Sequence, residues 1–392
     1  MIHILTVSHP NRFDTRIWVK EITSLTKAGI RVRYIVADGA GNETRSGVEI
    51  CDLGPIPEPK NFNFFIRMWY GFGIARRGGF KRGDIVHIHD GIFLPFGFLL
   101  WLRGCRIIYD VHEDYPRWIL GAFSHLPMVI RRISSQCFSL LEWCASKLLH
   151  GFVAATPTIA ARFPADRTVL VQNFPIVEEL QIPDTRPYSN RPLNVAFIGK
   201  LSRDYGINEM IEAIALVNEH HGTKPILSDS SVPSHQDIRL TLAGNWFPST
   251  LHEELATMNG WTHTDDLGWL DRKTVAHLLA NARMGLVLLH PTPNSVDGQP
   301  NKLFEYMSAG LPVIASDFPL WRKFVEGSGC GLLVDPLNPE EIADAIRWLL
   351  YHPDQAAEMG RRGREAIEKR YNWNNEEAKL VAFYRSHVLG AC

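Results

Sequence analysis

Short apolar runs alternate along the chain with stretches in which apolar residues return every three to four positions. In the first half, Ile2–Val7, Arg31–Val36, Ile85–His89, Arg106–Asp110, Gly151–Ala155 and Thr168–Val171 have the length and content of buried strands. Between the first two, Ile17, Ile22, Leu25 and Ala28 recur at helical spacing, and Gly29 stands where a helix ends in a left-handed residue. The pattern restarts in the second half. Val195–Ile198, Ile238–Leu242, Met284–Leu289, Val313–Ser316 and Gly331–Val334 predict strands, and Asn208–Glu219, Asn301–Ala309, Pro339–Tyr351 and Asn375–His387 predict helices between and after them. Near-continuous apolar strands separated by helices imply parallel sheets covered on both faces. The segment Ile182–Leu193 is polar and proline-rich and predicts a linker, and Thr223–Gln236 predicts a polar loop. The expected fold class is α/β, with two doubly wound Rossmann-like domains. They cover residues 1–181 and 193–370, joined by the linker 182–192. A C-terminal helical segment, 371–392, is expected to pack back on the first domain. Two such sheets would face each other across a central cleft and bind ligands beyond the carboxyl ends of their strands.

Composition narrows the functional classes. The 392 residues carry a net charge of −1, which argues against a general nucleic-acid binder. Six cysteines without CxxC spacing suit free thiols in a reducing compartment. The N-terminus has no basic leader pattern, and the longest apolar run, Gly91–Leu102, contains a proline and is too short to span a bilayer. A cytoplasmic protein is expected, with no obligatory metal or cofactor: there is no P-loop and no DxD triplet. His87 and His89 alternate along one strand and would share a face, an arrangement more common in a core than at a metal.

The densest chemistry lies between Asp297 and Ser316. A proline-rich loop after the strand 284–289 leads into the helix 301–309. Pro300 stands just before its first turn, so the helix N-terminus offers backbone N–H groups and a partial positive charge to an anion. A diphosphate would be stabilised there by Asn301, Lys302 and Leu303 of the first turn. Glu305, one turn in, could accept two hydrogen bonds from a ribose diol. Asp297, in the loop, could reach hydroxyls of a donor sugar. An ordinary helix with solvent-facing Lys302 and Glu305 is the alternative.

Asp297 and Glu305, followed by YMSAGLPVIAS, resemble the E-x7-E region of retaining glycosyltransferases of family 4, the glycosyl transferases group 1, with aspartate at the first position. The resemblance runs through HPNRFDTRIWVKEITSLTKAG, DIVHIHD, IIYDVHEDYP, VQNFP, FIGKLSRDYG and GCGLLVDPLNPEEIADAI, in the family's order. It implies the GT-B fold, a nucleotide-diphosphate sugar as donor (UDP favoured over GDP), and a glycan or lipid-linked acceptor in bacterial surface polysaccharide synthesis. It also implies retention of anomeric configuration through a same-face displacement, completed by closure of the two domains about the linker. In FIGKLSRDYG, Gly199 and Lys200 match the donor-diphosphate contact. The family's second cation is replaced by Tyr205, with Arg203 nearby as a substitute. In IIYDVHEDYP, His112 matches the histidine placed against the donor sugar, while Asp114 suits a helix cap. The catalytic set implied is His112, Lys200, Asp297 and Glu305.

After the first strand, SHPNRFDTR holds His9, Asp14 and Arg16, which could line the acceptor side. Arg16 could equally be a structural partner of Asp14. Between Lys60 and Lys147 there are 12 basic against 6 acidic residues, and Phe62, Phe64, Phe65, Trp69, Tyr70 and Phe72 interleave with Arg67, Arg76, Arg77, Lys81 and Arg82. That mixture suits peripheral contact with the inner face of an anionic membrane. The alternatives in function are a nucleotide-sugar epimerase of the same fold and an inactive sugar-nucleotide-binding partner protein.

Overall fold

The computed structural model describes residues 1–6, 12–55, 77–89, 91–122, 126–180, 186–221, 237–388 and 390. The chain divides into two compact units, one of Met1–Asn173 with Trp373–Cys392 and the other of Phe174–Asn372. Each is an α/β unit built on its own sheet.

The first unit has eight strands: β1 (Ile2–Leu5), β2 (Val32–Val36), β3 (Glu43–Arg45), β4 (Val48–Asp52), β5 (Ile85–Ile88), β6 (Arg106–Val111), β7 (Gly151–Ala154) and β8 (Thr168–Leu170). Their order is β3-β4-β2-β1-β5-β6-β7-β8. All neighbours run parallel except β3 against β4. Alternation divides the strand residues between two faces. Val86, Ile88, Ile107 and Tyr109 enter an apolar core with Leu94, Leu100 and Phe152. The intervening His87, His89 and Asp110 are buried on the opposite face.

The second unit has six parallel strands: β9 (Asn194–Ile198), β10 (Arg239–Ala243), β11 (Thr264–Asp266), β12 (Met284–Val287), β13 (Val313–Ser316) and β14 (Gly331–Val334). Their order is β11-β10-β9-β12-β13-β14. Both faces are apolar: Val195 and Phe197 enter one core, Ala196 and Ile198 the other. The chain leaves β9 toward β10 on one side and returns to β12 on the other. The switch point of the sheet is therefore between β9 and β12, the position at which such sheets open a crevice for ligands.

Strands β13 and β14 and the helix Pro339–Tyr351 have the bounds their patterns predict. The second unit begins at Phe174, ahead of the proline-rich segment. Phe174 stacks edge-on against Phe304 at 4.9 Å, and Glu179 pairs with Arg272, so these residues belong with the second sheet. Residues 182–185 of the linker reading and 223–236 of the loop reading lie outside the described residues. From Trp373 onward the chain belongs with the first unit. The Trp373 indole donates to Ser24 Oγ at 3.0 Å, and the Tyr384 hydroxyl lies 2.5 Å from His87 Nδ1.

Candidate functional site

In the second unit, the helix Asn301–Ser308 follows β12 at the switch point, with Ala309 as its C-cap and Gly310 beyond it at φ +70°. Two contacts fix it to the sheet. The Tyr306 hydroxyl accepts from the Ile198 N–H of β9 at 2.9 Å. The Tyr306 ring passes over Gly285 of β12, where a Cβ would stand 2.3 Å from it. At the other end no side chain caps the helix, so its first turn keeps N–H groups for an outside partner.

Lys302 of that first turn points inward. Its ammonium lies 3.8 Å from the centroid of Phe197 and 4.4 Å from that of Tyr205. It is buried, and among the described residues it has no hydrogen-bond partner. Burial pushes its pKa down to about 7, with Glu305 pulling weakly the other way. Gly199, at the end of β9, stands beside it: at φ +120° a Cβ there would sit 3.2 Å from Lys302 Nζ. A desolvated ammonium held by aromatic faces is poised for a negative ligand that brings its own oxygens.

Glu305 is mostly buried, and its Oε1 accepts from Arg272 at 2.7 Å. Arg272 is held in turn by both oxygens of Glu179, at 2.7 and 3.0 Å. Burial opposes the Arg272 cation, but the two carboxylates more than offset it and raise its pKa. The Arg272 clamp fixes Glu305 with one oxygen engaged. Asp297 closes the short helix Pro293–Val296, and the carbonyl of Gly298, next to it, accepts from the Trp321 indole at 2.8 Å. The buried Ser316 donates to the Leu289 carbonyl at 2.9 Å and fixes the start of the same loop.

The other residues predicted for this site divide. Lys200 is exposed, its ammonium 4.0 Å from the Phe247 ring. Asn301 is exposed at the helix start, while the Leu303 side chain is core, leaving only its backbone near the helix end. Arg203 pairs with Glu254 at the surface, and Lys302 is a cation lying against Tyr205.

In the first unit, His112 follows β6 and is partly exposed, with Nδ1 3.6 Å from Asp110. Arg16 is buried. Its guanidinium reaches Asp110 at 3.0 Å and Glu21 at 3.1 Å, and donates to the Val171 carbonyl. It is not paired with Asp14 either. Asp14 caps the following helical segment, accepting from the N–H groups of Arg16 and Ile17. His9 lies outside the described residues, as do the aromatic residues 62–72 of the membrane reading. Asp114 accepts from the Arg117 N–H and pairs with Arg162.

His87 and His89 are stacked with centroids 4.4 Å apart. With Glu21 and Asp110 they bring four potential ligand atoms within 4.8 Å of one another, a spacing a metal ion could use. The Arg16 guanidinium already stands against both carboxylates and supplies the local positive charge. Burial and the charge of Asp110 raise the Glu21 pKa well above the usual range. Burial also disfavours ionised Asp110, but Arg16 and the nearby imidazoles of His112 and His87 override it. Burial and His87 push His89 far down. Burial thus works against the charged forms of Glu21 and His89, while Arg16 favours the charged form of Asp110.

Comparison with known proteins bears on both units. The family described as Glycosyltransferase Family 4 matches residues 18–202, and the family described as Glycosyl transferases group 1 matches residues 181–366. The chain is 36% identical over 90 residues to a GDP-mannose-dependent alpha-(1-6)-phosphatidylinositol monomannoside mannosyltransferase of Mycobacterium tuberculosis. That match spans 23% of each protein, less than a quarter of the relative's length. An uncharacterized glycosyltransferase of Methanocaldococcus jannaschii is 23% identical over 360 residues, covering 88% of this chain and 86% of its own. Among solved structures, sucrose-phosphate synthase of Thermosynechococcus elongatus aligns over 98% of both chains with a TM-score of 0.74 at 18% identity, a likeness of fold.

Proposed function

We propose, for a chain that belongs to glycosyltransferase family 4, the glycosyl transferases group 1, that it moves a sugar from a UDP- or GDP-sugar to a hydroxyl of a glycan or lipid-linked acceptor with retention at the anomeric carbon. The observation that carries this reading is Lys302: a buried ammonium without a hydrogen-bond partner among the described residues, beside Gly199 and in the first turn of an uncapped helix.

As the bond to the leaving nucleoside diphosphate breaks, negative charge grows on its bridging oxygen. Lys302, Lys200 and the first-turn N–H groups are cations and donors set in place before the reaction, so they stabilise that charge without reorganising. Protein cations rather than a metal clamp then neutralise the leaving group. Glu305, steadied by Arg272, accepts from the ribose hydroxyls, and Asp297 accepts from hydroxyls of the donor sugar. His112, in the first unit, orients the transferred sugar. No carboxylate is assigned as a nucleophile, which suits a same-face displacement in which the acceptor oxygen attacks as the diphosphate departs. The mycobacterial relative's name, a mannosyltransferase of phosphatidylinositol monomannoside, supports a lipid-linked acceptor.

The test is a thermal-shift screen across UDP-, GDP- and ADP-sugars, followed by incubation of the best donor with acceptors and product NMR. Release of nucleoside diphosphate with an axial or equatorial linkage matching the donor's is expected. Conversion of the donor to an epimer without acceptor, or binding without turnover, would overturn the reading.

A further inference from the structure

Only three residues, His112, Glu113 and Asp114, separate β6 from the helix Tyr115–Ala122. Carboxylates bracket His112: Asp110 stands two residues before it and Asp114 two residues after. An arginine from a distant part of the chain holds each of them. Arg16 reaches Asp110 at 3.0 Å. Arg162, just past the helix Pro157–Ala160, donates to Asp114 at 3.0 Å. In so short a loop, fixing Asp114 limits where the His112 side chain can stand.

Arg162 is shared between two carboxylates. Its Nη1 donates to Asp114 and its Nη2 to Glu142 of the helix Met128–Leu148. Glu142 is 3% exposed, and its other oxygen accepts from the Tyr109 hydroxyl of β6 at 3.4 Å. One guanidinium therefore ties the loop of His112 to a buried carboxylate anchored on the sheet. A planar fork with a carboxylate at each prong has its direction set from both sides, which a single ion pair does not achieve. The charged and titratable groups acting on Glu142 are Arg162, Asp114 and Tyr109. Burial pushes the Glu142 pKa up to about 7 against the pull of Arg162; Asp114 adds to the rise and the Tyr109 bond opposes it. Above that value Glu142 grips Arg162 with a full charge. Below it the partly exposed Arg162 has water as a competing partner.

We propose that Arg162 is a positioning residue for the transfer step: by pinning Asp114 to Glu142 it fixes the loop that carries His112, and in this it rests on the reading of His112 as a contact of the transferred sugar. Hydrogen exchange over residues 111–117, read by mass spectrometry on the full chain, follows the tether without any transfer. Exchange there should rise in Arg162→Met and fall back in part in Arg162→Lys, which keeps a cation. Turnover should drop about tenfold in Arg162→Met, with the donor KM and the nucleotide affinity unchanged. That variant also leaves Glu142 buried without its partner, so it should melt at a lower temperature. Arg162→Met with Glu142→Gln removes the stranded carboxyl and should regain melting temperature while turnover stays low, because Asp114 is still untethered. An arginine with a merely structural role would recover both. The ratio of wild-type to Glu142→Gln turnover should be about one near pH 5.5 and rise several-fold by about pH 8, as the wild-type carboxyl ionises. Unchanged exchange over 111–117, turnover restored in the double variant, or equal losses of turnover and affinity would overturn the proposal. Normal turnover in His112→Ala would instead fault the sugar contact given to His112, with the exchange result still deciding the tether.

Discussion

Lys302 holds its proton less readily than an exposed lysine because the fold removes water from its ammonium and returns only two aromatic faces. The sign of its effect on stability follows. The unfolded chain keeps this proton up to about pH 10.5, while the folded chain releases it near 7. Between those values the unfolded state binds more protons, so this residue makes the free protein more stable as pH rises, and its full cost is present below 7. Lys302→Met should therefore raise the melting temperature of the ligand-free protein at pH 6.5, and the gain should shrink toward pH 9. Binding of a diphosphate demands the charged form, so wild-type affinity should fall as pH rises above 7. Glu305→Ala should lose roughly 10- to 100-fold in affinity for the nucleoside diphosphate, the worth of one or two charge-assisted hydrogen bonds. Unchanged affinity by calorimetry would remove Glu305 from the ribose. His112→Ala should leave that affinity intact and lower turnover by about 100-fold. Equal loss of both in steady-state and binding assays would contradict its place on the sugar. Glu305 and Lys302 could be singled out in the sequence because they share one motif with a helix start. Arg272 and Glu179, which hold Glu305, could not: they lie 33 and 126 residues away, the latter as 305 − 179, and only the fold brings them together.

At the scale of elements, the sequence pattern located the buried strands well, because both-face burial leaves continuous apolar runs. It missed β3, β4 and β11. Glu43–Arg45 is exposed throughout, Val48–Asp52 alternates, and Thr264–Asp266 is three polar residues. β3 and β11 are edge strands without an apolar signature, and β4, second from the edge, has alternating rather than continuous burial. The pattern also left Arg16 undecided between acceptor side and a pair with Asp14, since its partners are Asp110, distant in sequence on β6, and Glu21 of its own helical segment. Arg16→Met should cost roughly 3–5 kcal/mol in denaturant unfolding, because it strands the buried Asp110 charge. Arg16→Met with Asp110→Asn should recover part of that loss, and the absence of any recovery would mean that the pair is not the cause. Gly285→Ala should destabilise the second unit by forcing a Cβ into the Tyr306 ring, and it should weaken nucleotide binding with it, as the helix of Lys302 and Glu305 shifts.

The whole molecule is two units with separate cores, the first of them completed by the chain's last twenty residues. Composition marked a boundary near Ile182, whereas aromatic packing and an ion pair draw the segment from Phe174 into the second unit. Proline content records where a chain is irregular, not which core its neighbours join. Scanning calorimetry should resolve two transitions, and a nucleoside diphosphate should raise the one that belongs to the second unit, since a ligand stabilises the part that binds it. The central claim, that Lys302 is the buried cation of a diphosphate site, is tested most directly by isothermal titration of UDP and GDP into wild type and Lys302→Met at pH 6.5 and 8.5. Proton uptake by the wild type near pH 8 and a loss of affinity in the variant that narrows at the higher pH are predicted. Equal affinities for wild type and variant at both pH values would contradict it.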